Sequence, residues 1–154
     1  MNQKKIDGAM LQIAKTMSKL SNCVAFQVGA VVANKGRIIS TGYNGSPSGH
    51  KNCNEQFKTY DEHLDRQVHS DWSSIHEIHA EQNALMFAAR FGTSVDGASM
   101  YITHQPCPNC SKLIVASGIE RVVFLEHYDR FDERSWQMLF DNHVRMVGWN
   151  ERQN

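Results

Sequence analysis

His79-Ala80-Glu81 and Pro106-Cys107-Pro108-Asn109-Cys110 are the stretches of this chain whose residue types and spacing can do chemistry together. One imidazole and two thiolates give three protein ligands to a tetrahedral zinc and leave the fourth position free for water, as in a catalytic and not a closed structural site. Cys107 and Cys110 stand three apart, so one helical turn aims both sulfurs the same way. The unpaired amide dipoles of a helix start favour their thiolate forms, and Pro108 suits such a start. Glu81, two residues past His79, can reach a water at such a metal without becoming a ligand, which is a general acid/base position. A Cys-x-x-Cys pair alone reads equally well as a redox motif or a structural zinc knuckle. His-Ala-Glu upstream and Pro106 directly before the first cysteine favour the hydrolytic metal site.

The elements that must position these residues follow from the hydrophobic pattern. Ile6, Met10, Ile13, Ala14 and Met17 recur at helical spacing between about Lys5 and Leu20, an apolar face that belongs to a core. Val28 to Ala33 and Arg37 to Thr41, joined by Asn34-Lys35-Gly36, read as a hairpin. From Gly42 to about Ser74 the periodicity is lost, and the polar, glycine- and histidine-containing stretch reads as a long loop region. Ser74-x-x-Glu77 is a capping-box pattern for a helix through Ala84, Leu85, Ala88 and Ala89, ended by Gly92, with His79 and Glu81 in its first turns. Ser99 to Thr103 is a strand leading to Pro106, Cys107 to about Ser117 a helix closed by Gly118, and Arg121 to Leu125 another strand. Phe131 to Phe140 reads as a helix and Val144 to Val147 as a last strand. A hairpin followed by alternating helices and strands argues a layered α/β domain with a mixed sheet.

At 154 residues the chain fits a single domain, 1–154. Sixteen basic and sixteen acidic residues cancel, which speaks against polymeric nucleic acid as a partner and favours a small substrate. No apolar run approaches membrane-spanning length, so no membrane partner is expected. Two of the four cysteines belong to the metal motif and no secretory signal is visible, which places the chain in a reducing cytoplasm rather than among disulfide-bonded proteins. The other two, Cys23 and Cys53, read by themselves as small buried hydrophobes.

The histidine-x-glutamate and proline-cysteine-x-x-cysteine pair is the signature of zinc-dependent deaminases. Within that superfamily the chain resembles the deoxycytidylate deaminases of bacteria and their phages. The similarity runs from about Cys23 to Asp129 through Val28-Gly-Ala-Val-Val32, Ile38 to Gly49 with its Gly42-Tyr-Asn-Gly45, His69-Ser-Asp-Trp-Ser73, Glu77-Ile-His-Ala-Glu81, Phe87-Ala-Ala-Arg90 and Pro106 to Cys110. The resemblance implies a three-layer α/β/α cytidine-deaminase-like fold with a central mixed five-stranded sheet. It also implies hydrolytic deamination of dCMP to dUMP and ammonia, supplying dUMP for thymidylate synthesis, usually in a homohexamer. For a phage-encoded enzyme the compartment is the host cytoplasm.

Carried over residue by residue, the resemblance assigns His79, Cys107 and Cys110 to the catalytic zinc and Glu81 to proton transfer. Asn44 is expected on the sugar, with Ala80, Tyr128 and Gln27 also at the substrate. A second, structural zinc on Cys23, Cys53, His69 and Glu77 is implied as well; four metal bonds would offset the entropy of ordering a long polar loop. Activation by dCTP and inhibition by dTTP, with Mg2+ accompanying the triphosphate, are implied for Gly42, Asn44, Gly45, Gly49, Phe87 and Arg90. On its own chemistry Arg90 reads equally as a solvated cation at a helix C-terminus.

Two departures from the relatives stand out. A basic residue usually precedes the Val-Gly-Ala strand, where this chain has Phe26-Gln27, so a backbone amide or another cation is needed for the substrate 5′-phosphate. Thr103-His104-Gln105 replaces the more usual Thr-Leu-Ser and puts a histidine at the mouth of the site. Rival readings are deamination of another cytosine nucleoside or nucleotide, of tRNA adenosine, or of a pterin or riboflavin precursor, and a noncatalytic zinc-stabilised interaction module. The neutral charge opposes tRNA, Gly-Tyr-Asn-Gly favours a nucleotide, and a purely structural site has no use for Glu81.

Overall fold

A computed structural model describes residues 2–127 and 132–150. In chain order the elements are α1 (Gln3–Ser18), β1 (Gly29–Asn34), β2 (Arg37–Tyr43), α2 (Cys53–Gln56), α3 (Glu62–His76) and α4 (Ala80–Arg90). They continue with β3 (Ser99–His104), α5 (Pro108–Ala116), β4 (Arg121–Glu126), α6 (Glu133–Asp141) and β5 (Arg145–Gly148). The five strands form one sheet in the order β2-β1-β3-β4-β5. β1 is antiparallel to both β2 and β3, whereas β3, β4 and β5 run parallel, so the sheet is mixed as expected.

Alternation along the strands divides the core in two. Val31, Ala33, Tyr101 and Val123 face α1, where they bury Met10, Leu11 and Ala14. Ala30, Val32, Met100, Ile102 and Val122 face the other way, against Ala80, Ala84 and Leu85 of α4, Ile114 of α5 and Leu139 of α6. These are the three layers. Two glycines let helices sit directly on strands: a Cβ at Gly29 would lie 1.9 Å from the Ala14 carbonyl oxygen, and one at Gly42 would lie 2.2 Å from that of Ala80. The hairpin turn takes positive φ at Lys35 and Gly36.

The layer under α1 encloses an ion pair, which periodicity did not reveal. Asp7, fully buried, receives Nη1 and Nη2 of Arg121 at 2.8 and 2.6 Å and the Tyr101 hydroxyl at 3.2 Å. Burial pushes its carboxyl upward, but the Arg121 hydrogen bonds and charge, with Gln3 and Tyr101, outweigh this and hold it below the usual range.

The region read as a long loop differs most from expectation. It contains α2 and all of α3, and Ser74 lies in the last turn of α3 rather than capping the next helix. Asp61 is the N-cap of α3, accepting from the N–H groups of His63 and Leu64 at 2.8 and 3.2 Å. The capping box that starts α4 is centred on His79, whose N–H donates to Gln82 Oε1 at 3.0 Å. The expected helix from Phe131 begins among the described residues at Glu133, behind an Asp132 cap.

Candidate active site and metal centres

His79 and Cys107 are both helix N-caps, of α4 and α5, so the two helices begin at the same place. Cys110, one turn into α5, donates its N–H to Cys107 Sγ at 3.5 Å, which turns the two sulfurs toward each other's side of the helix. His79 Nδ1 stands 3.6 Å from Cys107 Sγ and 3.3 Å from Cys110 Sγ. A zinc with sulfur at about 2.3 Å and nitrogen at about 2.0 Å needs ligand-to-ligand edges of roughly 3.5 Å, so these three side chains fit one tetrahedral ion.

The three groups share protons unevenly. The Cys110 hydrogen bond, with help from His79, draws the Cys107 thiol down to about 4. The hydrogen bond to Cys107 holds the His79 imidazole up at about 9, and Cys110, donor to Cys107 and buried, is pushed up. An imidazolium beside a thiolate and a thiol is a donor set that a metal cation can take over by displacing protons.

Glu81, only 4% exposed, sits in the first turn of α4 behind this triangle. Burial raises its carboxyl to about 7, against the opposing charge of His79. A carboxyl balanced near neutrality can both accept and return a proton, which is what hydrolysis at an amidine carbon requires.

A second cluster lies beside the first. Cys23, Cys53, His69 and Glu77 are all buried, and their ligand atoms lie within 4.8 Å of one another. His69 Nε2 is 3.4 Å from Cys23 Sγ and 3.2 Å from Cys53 Sγ. Glu77 Oε2 accepts from the Ser73 hydroxyl at 2.6 Å, while buried Oε1 has no partner. Burial pushes the Cys23 thiol up to about 12 and raises that of Cys53. A buried carboxylate oxygen left without a hydrogen bond beside two thiols and an imidazole fits a cation that all four side chains surround.

Both clusters open on one cavity of about 820 Å³, walled also by Phe26, Asn44, Tyr60 and Ala80. Asn44 and Ala80 therefore both line the cavity, but the Asn44 amide is partly committed. Its Oδ1 accepts from the Val28 N–H and its Nδ2 donates to the Phe26 carbonyl, both at 2.8 Å, which leaves one hydrogen and one lone pair for a ligand. Gln27 is exposed and does not line the cavity; its amide donates to the Cys23 carbonyl. Tyr128 lies outside the described residues. His104 lies off the cavity wall, its Nε2 3.7 Å from Glu126 and its ring edge-on to Phe26.

Of the expected effector residues, Asn44 lines this cavity and the other five do not. Gly42 is buried against the backbone of α4 and has no surface to offer a ligand. Gly45 bridges to Ile78, Gly49 is exposed with φ of 85°, and Phe87 and Arg90 face solvent toward the far end of α4. Sequence reasoning missed Tyr60 and Arg66 on the α3 side of the cavity, Lys112 on α5 and Arg134 near the start of α6. For Lys112 the signal existed, because it stands two residues past Cys110 on a helix already recognised.

Residues 4–126 match the cytidine and deoxycytidylate deaminase zinc-binding region. The chain belongs to this deaminase family. The deoxycytidylate deaminase of Enterobacteria phage T4 is 42% identical over 164 residues, covering 86% of this chain and 83% of the phage protein. The human deoxycytidylate deaminase is 32% identical over 118 residues, covering 75% of this chain and 62% of the human one. Among solved structures, the dCMP deaminase of cyanophage S-TIM5 in complex with dCMP and dUMP superposes with a TM-score of 0.76 at 34% identity, covering 94% of this chain and 96% of that one. The fold is therefore that of the cytidine deaminases, and the chain is a zinc-dependent hydrolytic deaminase. No helix among the described residues is long and apolar enough to cross a membrane.

Proposed function

We propose that this deaminase converts dCMP to dUMP and ammonia. The observation that carries the reading is the His79, Cys107 and Cys110 triangle with buried Glu81 behind it, opening on the cavity that Asn44 also lines. The names of the phage and human relatives, and the dCMP and dUMP in the cyanophage structure, support dCMP as substrate.

His79, Cys107 and Cys110 would hold the catalytic zinc, which when bound supplies the Lewis acidity that makes a water nucleophilic near neutral pH. Glu81 takes the proton from that water and passes it to the pyrimidine ring nitrogen next to C4. The water oxygen bonds to C4, and the same carboxyl then carries the remaining proton of the resulting C4 hydroxyl to the amino group, so that the C4–N bond breaks, a C4 carbonyl forms and ammonia departs. Asn44 offers its remaining amide hydrogen and lone pair to the deoxyribose, and buried Ala80 gives the pyrimidine a flat apolar wall.

The four-residue cluster of Cys23, Cys53, His69 and Glu77 would hold a second, structural zinc, supported by the unpartnered Glu77 oxygen. The finer parts of the reading are one functional unit over 1–154, a homohexamer, control by dCTP and dTTP with Mg2+, and a cytoplasmic location. Of the effector positions, exposed Phe87 and Arg90 suit a contact with a neighbouring subunit, and Gly42 does not. Turnover measured side by side on dCMP, deoxycytidine, dCTP and CMP tests the substrate. A protein that favours any of the last three overturns dCMP, and deamination of deoxycytidine or CMP in its place is the second reading.

A further inference from the structure

The shared cavity carries three cations, Arg66, Lys112 and Arg134, and on the dCMP reading one of them has a phosphate dianion to meet. Position 27 is not available for this, because Gln27 is uncharged, turned to the Cys23 carbonyl and off the cavity wall. Arg134 is already engaged: its Nε lies 2.9 and 3.2 Å from the two Asp132 oxygens and its Nη2 2.7 Å from Oδ2. A phosphate there would compete with a carboxylate that holds the guanidinium as a fork. Arg66 is on α3, the helix of His69, with Nη1 4.0 Å from Glu62.

Lys112 differs from both. It is exposed, and no carboxylate lies within ion-pair distance of it among the described residues. It stands a little over one turn beyond Cys107 on α5, on the side of the helix that Pro108 and Asn109 present to the cavity. Helical side chains lean back toward the N-terminus, so its ammonium is carried toward the reacting end of α5 and not away from it. The other carboxylates on the wall do not claim it: Asp132 is held by Arg134, Glu77 belongs to the second cluster, and Glu81 is enclosed behind His79. A compact, freely rotating ammonium is a point-charge partner for phosphate oxygens. We infer that Lys112 receives the 5′-phosphate of the substrate, and that this residue, instead of position 27, distinguishes nucleotide from nucleoside in this chain.

The inference rests on dCMP as substrate, and binding of product to the zinc-loaded full chain separates the two. Calorimetric affinities for dUMP and deoxyuridine are compared in the parent, Lys112→Ala, Lys112→Arg, Arg66→Ala and Arg134→Ala. The parent prefers dUMP; Lys112→Ala lowers that preference by about ten- to hundredfold, the scale of a lost charge-assisted hydrogen bond, and leaves deoxyuridine binding unchanged. Lys112→Arg keeps most of the preference, and added salt erodes it in the parent but little in Lys112→Ala. A Lys112→Ala protein that still prefers dUMP as the parent does, or a preference lost in Arg66→Ala or Arg134→Ala instead, overturns the assignment and leaves the dCMP reading intact. A parent that binds dUMP no better than deoxyuridine overturns the dCMP reading and the inference with it.

Discussion

Ile78 and Gly45 form an isolated antiparallel bridge, the Ile78 N–H donating to the Gly45 carbonyl at 2.9 Å and the Gly45 N–H to that of Ile78 at 3.1 Å. Ile78 is the residue between Glu77 of one donor cluster and His79 of the other. The bridge therefore fixes the only segment that contributes to both clusters among the described residues, and ties it to the chain next to Asn44.

Metal removal at the second cluster should be felt through that segment. The parent is expected to hold two zinc ions per chain and Cys53→Ser to hold one, with faster amide exchange from α2 through α3 and at Ile78. A parent prepared without chelators that carries a single zinc would show Cys23 and Cys53 to be packed thiols and nothing more.

Glu81→Gln should keep its metal and its fold while losing deamination, since the amide fills the same space and cannot move a proton. A loss of at least about a hundredfold in kcat, with little change in KM, is the expected scale for a general acid/base group. Turnover near the parent level in a zinc-loaded variant would place proton transfer elsewhere.

Gly42→Ala discriminates packing from effector binding. Its Cβ would come within 2.2 Å of the Ala80 carbonyl oxygen and 2.6 Å of the Ala84 nitrogen, both backbone atoms that cannot swing aside. We expect destabilisation of about 1–3 kcal/mol or more. Because Ala80 follows His79, kcat should fall as well. Unchanged melting with altered response to dCTP would restore the effector role.

The Asp7–Arg121 pair predicts a pH dependence of stability. The native Asp7 carboxyl titrates below its unfolded value, so the folded state favours the ionised form. Its contribution is complete above the unfolded pKa of about 3.9 and is lost as the pH falls through the native value. Arg121→Leu leaves a fully buried carboxylate without its counter-charge and should cost about 3–5 kcal/mol at neutral pH. The carboxyl then titrates high, so that variant regains stability on mild acidification, the reverse of the parent. Denaturant unfolding from pH 2 to 8 distinguishes the two, because the parent is level above about pH 4 and loses stability below it whereas the variant gains as the pH falls from neutral; parallel curves would rule the pair out as the source.

The chemistry was legible because its residues are close in sequence and its spacing is that of helix ends. The sheet was legible because β1, β3 and β4 are near-continuous apolar runs, as strands covered on both faces are. Helix α3 was not, for a physical reason: Leu64, Val68 and Ile75 are 80, 61 and 78% exposed, and His69 is the one residue that it fully buries. Leu64, Val68 and Ile75 do recur at helical spacing, but they sit among charged and polar residues and turn to solvent, so they do not seat the helix. It rests instead on His69 and on the contact of Trp72 with Phe57, although its Asp61 cap was in plain view. Asp7 was hidden because its partner is 114 residues away.

Since His79 precedes α4 and Cys107 precedes α5, the reacting centre is set at the origin of two rods rather than along them. The terminus of α4 at Arg90, with Phe91 and Gly92 exposed beyond it, is then a place where residues can be added or exchanged while the metal-facing end keeps its address. Diversification of such a chain has room beyond Arg90 and almost none at Gly42, where one extra carbon would meet the backbone of Ala80 and Ala84 and push the whole rod off its strand.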